Sequence, residues 1–361
     1  MNNRVVVGMS GGVDSSVAAA LLVEQGYEVI GVTLKTHAFE DVGGNTANES
    51  SCCSLDGIND ARRVCARLGI PHYVFDFSAA FMEQVINPFV DGYLVGTTPN
   101  PCVLCNRGIK WEQLIRKSLG LGADRVAMGH YARIGSDAEG GRHWITRGID
   151  ASKDQSYALW ALSQDSLSRT LFPLGGLTKD EARAHAQRFG LHTARKGESY
   201  EICFVSDNNY ARFLKERVDG LEGKVRDGDV VFDGRVIGKH DGYPFYTIGQ
   251  RRGLNVAVGE PVYVTGIDPQ SNRVTVGRDA DLYTDTFTAR DVVMQKRLFP
   301  DAPLRACVKI RYKDEGASAT LHPHAEGTLR IVFDAPRRAI TPGQSAVFYD
   351  GDDVLGGGVI C

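Results

Sequence analysis

The sequence predicts an α/β fold in its first half and a β-rich second half, and two observations support that prediction. Apolar runs of strand length alternate with segments of helical periodicity from Arg4 to about Met128, which is typical of a doubly wound parallel sheet. From Gly223 onward, short alternating runs separated by glycine replace the helical periodicity, as in small barrels and sandwiches. We therefore expect three domains, at residues 1–207, 208–279 and 280–361.

Each element of the first half follows from its apolar pattern. The expected strands are Arg4–Met9, Glu28–Leu34, His72–Phe77 and Arg125–Met128, and the expected helices are Asp14–Gln25, Asp56–Leu68, Phe81–Leu94 and Trp111–Leu119. A parallel sheet of this kind binds its ligands at the carboxyl ends of its strands. The polar segment between Leu34 and Asp56 has no periodicity, and we expect a mobile surface loop there.

The second half is expected to consist of short strands. In the middle domain they are Asp229–Phe232, Arg235–His240, Pro261–Ile267 and Arg273–Gly277. The pattern beyond Asp279 fits a barrel or a sandwich.

Composition restricts the class of protein. The 361 residues are 43% hydrophobic and 24% charged, which are ordinary values for a globular protein of several domains. No apolar run reaches transmembrane length and no signal peptide precedes the first strand, so we expect a soluble cytoplasmic protein without a membrane partner. Eight cysteines do not make a disulfide framework in a chain of this length, and the net charge of −3 gives no global signature of nucleic-acid binding.

The run SGGVDSS lies between the first strand and the first helix, where backbone N–H groups and a helix dipole can receive an anion. It has neither the lysine of a Walker loop nor the spacing of a dinucleotide fingerprint. It fits the pyrophosphate loop of enzymes that split ATP between its α and β phosphates, with Asp14 suited to hold Mg²⁺ or to orient the loop. The expected ATP contacts are Gly8, Met9, Ser10, Gly11, Gly12, Val13, Asp14, Ser15, Leu34 and Gly129.

The cysteines leave several chemistries open. Thr98–Asn106 is expected to be a shaped loop with a CxxC formed by Cys102 and Cys105, a pattern found in redox, metal and structural sites. Cys203 has apolar neighbours, and a lone cysteine of that kind is usually a buried thiol. Cys65 is expected in the core, and no function is assigned to the remaining cysteines, which are Cys52, Cys53, Cys307 and Cys361.

The chain resembles the tRNA-specific 2-thiouridylases (MnmA/TrmU), a family of the pyrophosphate-loop ATPase superfamily, essentially from end to end. The resemblance rests on SGGVDSS, PNPCVLCN, GIKW, MGHYAR, KDQSYALW, SYEICFV, YTIGQRRGL, IRY and TPGQ, in that order. It implies a pyrophosphate-loop domain of the adenine nucleotide α-hydrolase type, a small β-rich central domain and a C-terminal β-barrel. It also implies that ATP adenylates the C2 oxygen of the wobble uridine of tRNA, and that a persulfide sulfur then displaces AMP to give 2-thiouridine.

The same resemblance implies roles for individual residues. Cys203 matches the persulfide cysteine, and Cys105 matches the nucleophile that releases its sulfur or closes a transient disulfide. Cys102 stands where many members have aspartate, so it is a candidate acid or ligand beside Asn100 and Pro101 in the pocket for the target base. The implied tRNA contacts are His130, Lys153, Asp154, Gln155, Arg311, Tyr312 and Gln344, with Gln250, Arg251 and Arg252 as further candidates.

The implied partners are tRNAs, by family resemblance those for Glu, Gln and Lys, and a protein that donates persulfide sulfur, either a sulfur-relay protein or a cysteine desulfurase. Three alternatives stay open. Cys102, Cys105 and Cys203 could ligate a [4Fe–4S] cluster in the same reaction. The second alternative is another pyrophosphate-loop ligase that uses ammonia, which would leave Cys105 and Cys203 without a role. The third is a non-catalytic tRNA-binding module, which would not require an intact SGGVDSS.

Overall fold

The structure is a computed structural model that describes residues 3–36, 55–137, 141–197, 202–205, 207–325 and 327–361. The segment expected as a mobile surface loop lies outside the described residues from 37 to 54, and so do Cys52 and Cys53. The first residues of the SYEICFV motif, at 199–201, also lie outside them.

Seventeen strands are assigned in the described residues. They are β1 Arg4–Gly8, β2 Glu28–Lys35, β3 His72–Asp76, β4 Arg125–Ala127, β5 Ala132–Ser136, β6 His143–Arg147, β7 Thr170–Leu171, β8 Gly228–Phe232, β9 Arg235–His240, β10 Tyr263–Asp268, β11 Arg273–Gly277, β12 Tyr283–Met294, β13 Leu304–Lys309, β14 Ala317–Pro323, β15 Leu329–Arg338, β16 Ser345–Asp350 and β17 Asp353–Ile360.

The helices lie mainly in the first half. They are α1 Val13–Glu24, α2 Leu55–Leu68, α3 Ser78–Phe81, α4 Asn87–Leu94, α5 Pro101–Leu104, α6 Leu114–Gly120, α7 Gln164–Ser168, α8 Lys179–Arg188, α9 Tyr210–Arg217 and α10 Leu221–Val225. Two π-helical segments, Met82–Ile86 and Cys105–Gln113, connect α3 to α4 and α5 to α6. Short 3₁₀ turns occupy Ser156–Leu159, His192–Arg195, Tyr243–Phe245 and Asp279–Leu282.

The first sheet is parallel throughout, with strand order β3-β2-β1-β4-β7. Its central strand, β1, is buried after Arg4, and Val5, Val6 and Val7 have no exposed surface. This burial on both faces explains the continuous apolar run of β1. The doubly wound parallel sheet predicted from the alternation of strands and helices is therefore present.

The expected loop at Thr98–Asn106 is wrong, because the chain is helical from Pro101 onward. Asn100 is extended at the N-cap, and Pro101 begins α5 at a position where the fixed φ of proline favours a helix. The helix predicted at Trp111–Leu119 is the end of this longer helical stretch. Cys102 and Cys105 thus lie on a helix, and Cys105 is the first residue of a π-helical segment, a geometry that is frequent at functional sites.

The central sheet has the order β10-β11-β8-β9, and only its β11–β8 pair is parallel. Its apolar side chains, among them Val230, Val264 and Val274, belong to the same core as four aromatic residues. We call those four residues, Phe81, Phe89, Phe204 and Phe213, the phenylalanine cluster. Phe204 lies at the centre of this cluster, with ring centroids 5.2 Å from Phe89 and 5.3 Å from Phe213.

The last six strands form a closed barrel in the order β12-β15-β14-β13-β16-β17, completed by antiparallel pairing of β12 with β17. The sequence pattern did not distinguish a barrel from a sandwich, and the β12–β17 pairing shows that these strands form a barrel. The β5–β6 hairpin extends the barrel sheet where Thr146 pairs with Asp353. That hairpin belongs to the first half of the chain and was not predicted.

None of the helices in the described part of the chain has the length and apolar character that crossing a membrane requires.

Candidate active site

The loop Ser10–Gly12 lies at the carboxyl end of β1 and leads directly into α1. Gly11 has a φ of +72°, and a Cβ there would overlap the carbonyl oxygen of Gly57 in α2, so glycine is required on both counts. Hydroxyl groups fix the shape of the loop: Ser10 Oγ and Ser15 Oγ are 3.1 Å apart, and Ser16 Oγ donates to Gly12 O at 2.7 Å. The hydroxyl contacts within the loop and the close packing of Gly11 against Gly57 of α2 therefore fix the conformation of the loop.

Other expected ATP contacts meet this loop at the same edge of the sheet. Gly129 follows β4, and a Cβ there would lie 2.7 Å from the backbone of Asp14 and Ser15. Leu34 lies near the end of β2 and is half-buried. The structure therefore brings the expected residues of β1, β2 and β4 to one carboxyl edge, which is where a parallel sheet binds its ligand.

Asp14 is held by two residues that the sequence did not single out for it. Lys179, the first residue of α8, places Nζ 2.8 Å from Oδ1 and 2.9 Å from Oδ2. The hydroxyl of Tyr131 donates to Oδ1 at 2.8 Å. Lys179 is buried, with 9% of its side chain exposed against 32% for Asp14. Both contacts hold the Asp14 carboxylate in place, and its expected roles, to hold Mg²⁺ or to orient the loop, stay predictions.

A second lysine reaches the loop from the other side. Lys196 Nζ donates to Gly11 O at 3.2 Å and to Asp60 Oδ2 at 2.7 Å. His192 Nε2 lies 2.9 Å from Asp60 Oδ1. Burial acts to raise the pKa of Asp60, but the hydrogen bonds from Lys196 and His192 outweigh it and leave that pKa below its usual value.

The cysteines of the expected sulfur chemistry have different surroundings. Cys102 is exposed on α5, whereas Cys105 is 8% exposed and belongs to the core that contains the phenylalanine cluster. Cys203 is half-buried and packs against that same core. Leu34 also packs against it, so the core extends from the nucleotide edge of the sheet to both cysteines.

Cys65 lies in the core, as its helix pattern predicts, and burial raises the pKa of its thiol to about 12. In the described residues, no three His, Cys, Asp or Glu side chains are grouped so that they could hold a metal ion. The arrangement of Cys102, Cys105 and Cys203 therefore does not support the [4Fe–4S] alternative.

Several expected tRNA contacts have internal partners. The Asp154 carboxylate accepts from Gly148 N, Ser156 N and Ser156 Oγ. Gln155 Oε1 accepts from Tyr131 N at 3.0 Å, and Gln344 Nε2 donates to Thr98 O at 2.8 Å. These side chains shape the loops that surround the site.

His130 packs against the rings of Trp111 and Phe172, at centroid distances of 5.4 and 6.1 Å, and those two rings also contact each other at 6.0 Å. Burial, and to a smaller extent the charge of Lys110, lowers the pKa of His130 well below its usual value. A lowered pKa favours the neutral ring, which suits a contact with a base or a hydroxyl of tRNA better than an ion pair.

A crevice of about 370 Å³ lies where the three parts of the chain meet. It is lined by residues from all three parts of the chain, among them Thr98, Gly249, Arg311, Arg338 and Gln344. Arg311 and Tyr312 are exposed beside it, and Tyr312 OH donates to Asp154 O at 3.1 Å. Two of the expected tRNA residues, Arg311 and Gln344, thus share one groove next to the segment that carries Asn100.

The remaining basic candidates differ in their surroundings. Lys153 is half-buried, and Arg251 and Arg252 are exposed. Gln250 is held by its own turn, because Oε1 accepts from Thr247 N and Nε2 donates to Arg252 O.

Sequence reasoning missed Tyr131, Lys179, Lys196 and Asp60 as residues of the loop environment. Tyr131 carried a usable signal, since it follows the predicted strand at Arg125–Met128 and so lies at the ligand edge. The lysines carried none, because each partner is distant in sequence: Lys179 and Asp14 are 165 positions apart, and Lys196 and Gly11 are 185 apart.

Three family models match consecutive parts of the chain. They are described as a tRNA methyl transferase HUP domain at residues 3–207, a tRNA methyl transferase PRC-barrel domain at 211–278 and an aminomethyltransferase beta-barrel domain at 284–360. A solved 4-thiouridine synthetase–RNA complex with bound ATP is also similar, with a TM-score of 0.36 and 16% identity, over 60% of this chain and 50% of that one.

Curated relatives match over nearly the whole length. The tRNA-specific 2-thiouridylase MnmA of Salinibacter ruber is 52% identical over 359 residues, covering 99% of this chain and 94% of the relative. The protein of the same name from Cytophaga hutchinsonii is 51% identical over 360 residues, covering 99% and 97%. With a pyrophosphate-loop sheet edge, two cysteines on one core and a closed barrel in the same chain, this protein belongs to the tRNA-specific 2-thiouridylase family.

Proposed function

We propose that this protein is a tRNA-uridine 2-sulfurtransferase that makes 2-thiouridine at the wobble position of tRNA. The proposal assigns ATP binding and catalysis to residues 1–207, a connecting role to 208–279 and tRNA contacts to 280–361. The matched ranges of the three family models support this division.

One observation carries the proposal: a single core contacts both the nucleotide edge of the sheet and the two cysteines. Leu34, Cys105 and Cys203 all contact that core. A sulfur carried by Cys203 and an ATP-activated base at the sheet edge would then react within one site. Neither a pyrophosphate-loop ligase that uses ammonia nor a binding module requires that arrangement.

The first chemical step is adenylation of the uridine. The C2 oxygen attacks the α-phosphate of ATP, the bond between the α-phosphate and the bridging oxygen breaks, and pyrophosphate leaves. Adenylation makes the C2 oxygen, which is a poor leaving group by itself, part of AMP, which is a good leaving group. The N–H groups at the start of α1 and the fixed shape of Ser10–Gly12 are suited to hold the departing pyrophosphate.

The second step transfers sulfur. The Cys105 thiolate attacks Sγ of the Cys203 persulfide, which closes a Cys105–Cys203 disulfide and releases hydrosulfide. Hydrosulfide attacks C2, and AMP leaves with the oxygen that C2 carried. A thiol reductant must then reduce the disulfide, and a persulfide donor must recharge Cys203.

Mg²⁺ fits this site through Asp14. Mg²⁺ is usually bound in such enzymes by one or two carboxylates together with phosphate oxygens, and the Asp14 carboxylate keeps acceptor capacity beyond its contacts with Lys179 and Tyr131. When bound, the ion would neutralise charge on the pyrophosphate.

We infer that the substrates are the wobble-uridine tRNAs for Glu, Gln and Lys, and that the sulfur comes from a relay protein or a cysteine desulfurase in the cytoplasm. The resemblance to the family supports these assignments. Asn100, Pro101 and Cys102 would contact the target base. Lys153, Arg311, Tyr312 and Gln344 would contact the tRNA, with His130, Asp154 and Gln155 supporting the surface around them.

A thiolation assay with ATP, unmodified tRNA and a persulfide donor tests the proposal. We expect Cys203→Ser and Asp14→Ala to lose 2-thiouridine, measured by nucleoside mass spectrometry. Cys361→Ser is the matched control, because Cys361 is exposed and has no proposed role, and it should keep full activity. Full 2-thiouridine formation by both Cys203→Ser and Asp14→Ala would show that the proposal is wrong.

A further inference from the structure

Asn106 is a buried residue next to Cys105 that the chemistry above does not use. It is 3% exposed, and its Nδ2 donates to Ala158 O at 2.9 Å. Its Oδ1 is also buried and has no hydrogen-bond partner in the described part of the chain. A buried acceptor without a donor lowers stability. An amide at this position is therefore a poor choice for stability alone.

Asn106 and Cys105 begin the π-helical segment Cys105–Gln113. This segment lies between two cores, because Cys105 belongs to the core of the phenylalanine cluster and Trp111 belongs to a second core that it shares with residues of the barrel. Cys203 packs against the first of these cores. A rotation of the segment about its axis would therefore move Cys105 relative to Cys203.

Two hydrogen bonds oppose such a rotation. Asn106 Nδ2 donates to Ala158 O, and Trp111 Nε1 donates to Thr170 Oγ1 at 2.7 Å. Asn106 directly follows Cys105, whereas Trp111 lies toward the other end of the segment. Of these two bonds, the one from Asn106 has the more direct effect on where the Cys105 thiol lies.

The turn that accepts this hydrogen bond is held by the barrel. It is the 3₁₀ turn Ser156–Leu159, in which Ser156 has no exposed surface and Tyr157 is 1% exposed. Tyr157 OH donates to Ser345 O at 2.7 Å, and Ser156 Oγ lies 3.1 Å from Tyr349 OH. Because the turn is buried and held at two points, a hydrogen bond to it can keep a helix in one orientation.

We propose that Asn106 is a positioning residue that holds Cys105 for its attack on the sulfur carried by Cys203. The inference rests on the proposed function, since it requires that these two cysteines exchange sulfur. The bond from Asn106 to Ala158 fixes the start of the π-helical segment, so the Cys105 thiol stays against the core on which Cys203 packs. A misplacement of reacting atoms by about 1 Å can slow a reaction about a hundredfold.

The experiment measures the equilibrium between the Cys105–Cys203 disulfide and glutathione. The two protein thiols are oxidised to the disulfide while one glutathione disulfide is reduced to two glutathione molecules, so the equilibrium constant reports how well the thiols are placed for each other. Peptide mass spectrometry gives the fraction of disulfide across a series of glutathione buffers. In Asn106→Leu we expect the constant to fall by about tenfold or more, which is about 30 mV in reduction potential.

Thiolation kinetics give a second readout. Asn106→Leu should lower kcat by about tenfold or more, because the sulfur-transfer step becomes slow. It should not raise the KM for ATP, because adenylation does not use Cys105. This split between kcat and KM distinguishes a misplaced cysteine from a general loss of the site.

Asn272→Gly is the matched control. Asn272 Nδ2 also donates to a backbone carbonyl, that of Val225, at 2.9 Å, and its Oδ1 is likewise buried without a hydrogen-bond partner among the described residues. The φ of Asn272 is +47°, which glycine adopts without strain. This variant loses the same kind of bond far from the cysteines in sequence, and it should keep the disulfide equilibrium and kcat of the unaltered protein.

Asn106→Asp decides the question if Asn106→Leu does not fold, because aspartate has the size of asparagine and its carboxylate cannot donate to Ala158 O. An unchanged equilibrium constant in the folded variant, or an equal fall in Asn272→Gly, overturns the positioning role of Asn106. Absence of any Cys105–Cys203 disulfide in the unaltered protein would instead overturn the sulfur-transfer step of the proposed function.

Discussion

The ion pair between Asp14 and Lys179 joins two side chains with very different exposure. Lys179 keeps 9% of its side-chain surface and Asp14 keeps 32%. Removal of one partner from a buried pair leaves the other charge without compensation, and the cost depends on how deeply that charge is buried. The two possible truncations of this pair therefore have unequal costs.

We expect Asp14→Ala to lower the free energy of unfolding by about 2–3 kcal/mol, because it removes a carboxylate that compensates the buried Lys179 ammonium. Lys179→Met should cost only about 1 kcal/mol, because the carboxylate it leaves can be hydrated. Urea denaturation of both variants measures the difference. Lys35→Met is the control, since Lys35 and Asp76 form an exposed pair of 2.9 Å worth less than about 1 kcal/mol. A larger loss for Lys179→Met than for Asp14→Ala would contradict this account.

At the scale of single residues, the sequence predicted residues whose partners are close to them in sequence. It missed residues whose partners are distant in sequence. Gly11 and Asp14 follow from a motif in which strand, glycine turn and helix are adjacent. Lys179 reads as an ordinary residue at the start of a polar helix, and only the folded sheet brings it to Asp14. The roles of Asp154 and Gln344 were implied by resemblance, and resemblance could not show that both side chains have internal hydrogen bonds.

Helix α8 shows how a helix end positions a residue of the site. Thr178 is its N-cap: Thr178 Oγ1 accepts from Glu181 N at 3.3 Å, and Glu181 Oε2 accepts from Thr178 N at 2.7 Å. This capping box fixes the residue at which the helix begins. Lys179 is that residue, and its own N–H donates to Asp150 at 2.9 Å, so the cap determines where the ammonium lies relative to Asp14.

We expect Thr178→Ala to cost about 1 kcal/mol of stability, the usual value for loss of a cap. It should also raise the KM for ATP, because Lys179 no longer meets Asp14 in a fixed position. Glu181→Gln is the control, since glutamine can complete the same capping box, and it should change neither quantity appreciably. Steady-state thiolation kinetics and urea denaturation measure the two effects. If Thr178→Ala lowered the stability but left the KM for ATP unchanged, the cap would not position Lys179 for ATP binding and this prediction would be wrong.

Elements were predicted well where one local signal dominated. The strands around SGGVDSS and the short strands of the central domain follow from apolar runs bounded by glycine. Pro101 misled the prediction, because the run of prolines and asparagines suggests a loop, whereas proline in the first turn starts a helix there. The β5–β6 hairpin was missed, although its two strands pair with each other over five residues. Its place beside the barrel depends on the pair of Thr146 with Asp353, which is distant in sequence.

At the scale of the whole molecule, Gln295 joins the first domain to the barrel. It has no exposed surface. Its Oε1 accepts from Ile145 N at 3.0 Å, and its Nε2 donates to Leu159 O and Trp160 O at 2.9 Å each. The side-chain amide of Gln295, which directly follows β12 of the barrel, thus hydrogen-bonds with three buried backbone groups of the first domain.

We expect Gln295→Leu to cost about 2–4 kcal/mol, because it leaves the Ile145 N–H and the Trp160 carbonyl buried without the amide that bonds them, at about 1–3 kcal/mol for each group. The Leu159 carbonyl keeps its hydrogen bond from Leu162 N at 3.3 Å. Urea denaturation followed by tryptophan fluorescence measures the loss. Gln270→Leu, at an exposed position, should change stability by less than about 0.5 kcal/mol. A loss of similar size in both variants would show that Gln295 does not join the two domains energetically.

The architecture of three β-containing parts was predicted from the change in periodicity after Gly223, and the resemblance implied the C-terminal barrel, which is confirmed. The strand pair that closes the barrel and the crevice between the parts were not predicted. Both depend on pairs that are distant in sequence. The barrel closes where Ala289 pairs with Ile360, and the crevice forms where Gln344 meets Thr98. A sequence pattern reports which face of a strand is apolar, and it does not report which strand lies beside it.

The shared strand β17 has a consequence for biosynthesis. Thr146 Oγ1 donates to Asp353 Oδ1 at 2.7 Å across a separation of 207 positions. During translation, the β5–β6 hairpin is synthesised long before β17. Until β17 has been translated, the edge of β6 that pairs with it is open. An open strand edge recruits other chains. A nascent chain stalled between these two points therefore exposes a strand edge that the full-length chain pairs with β17.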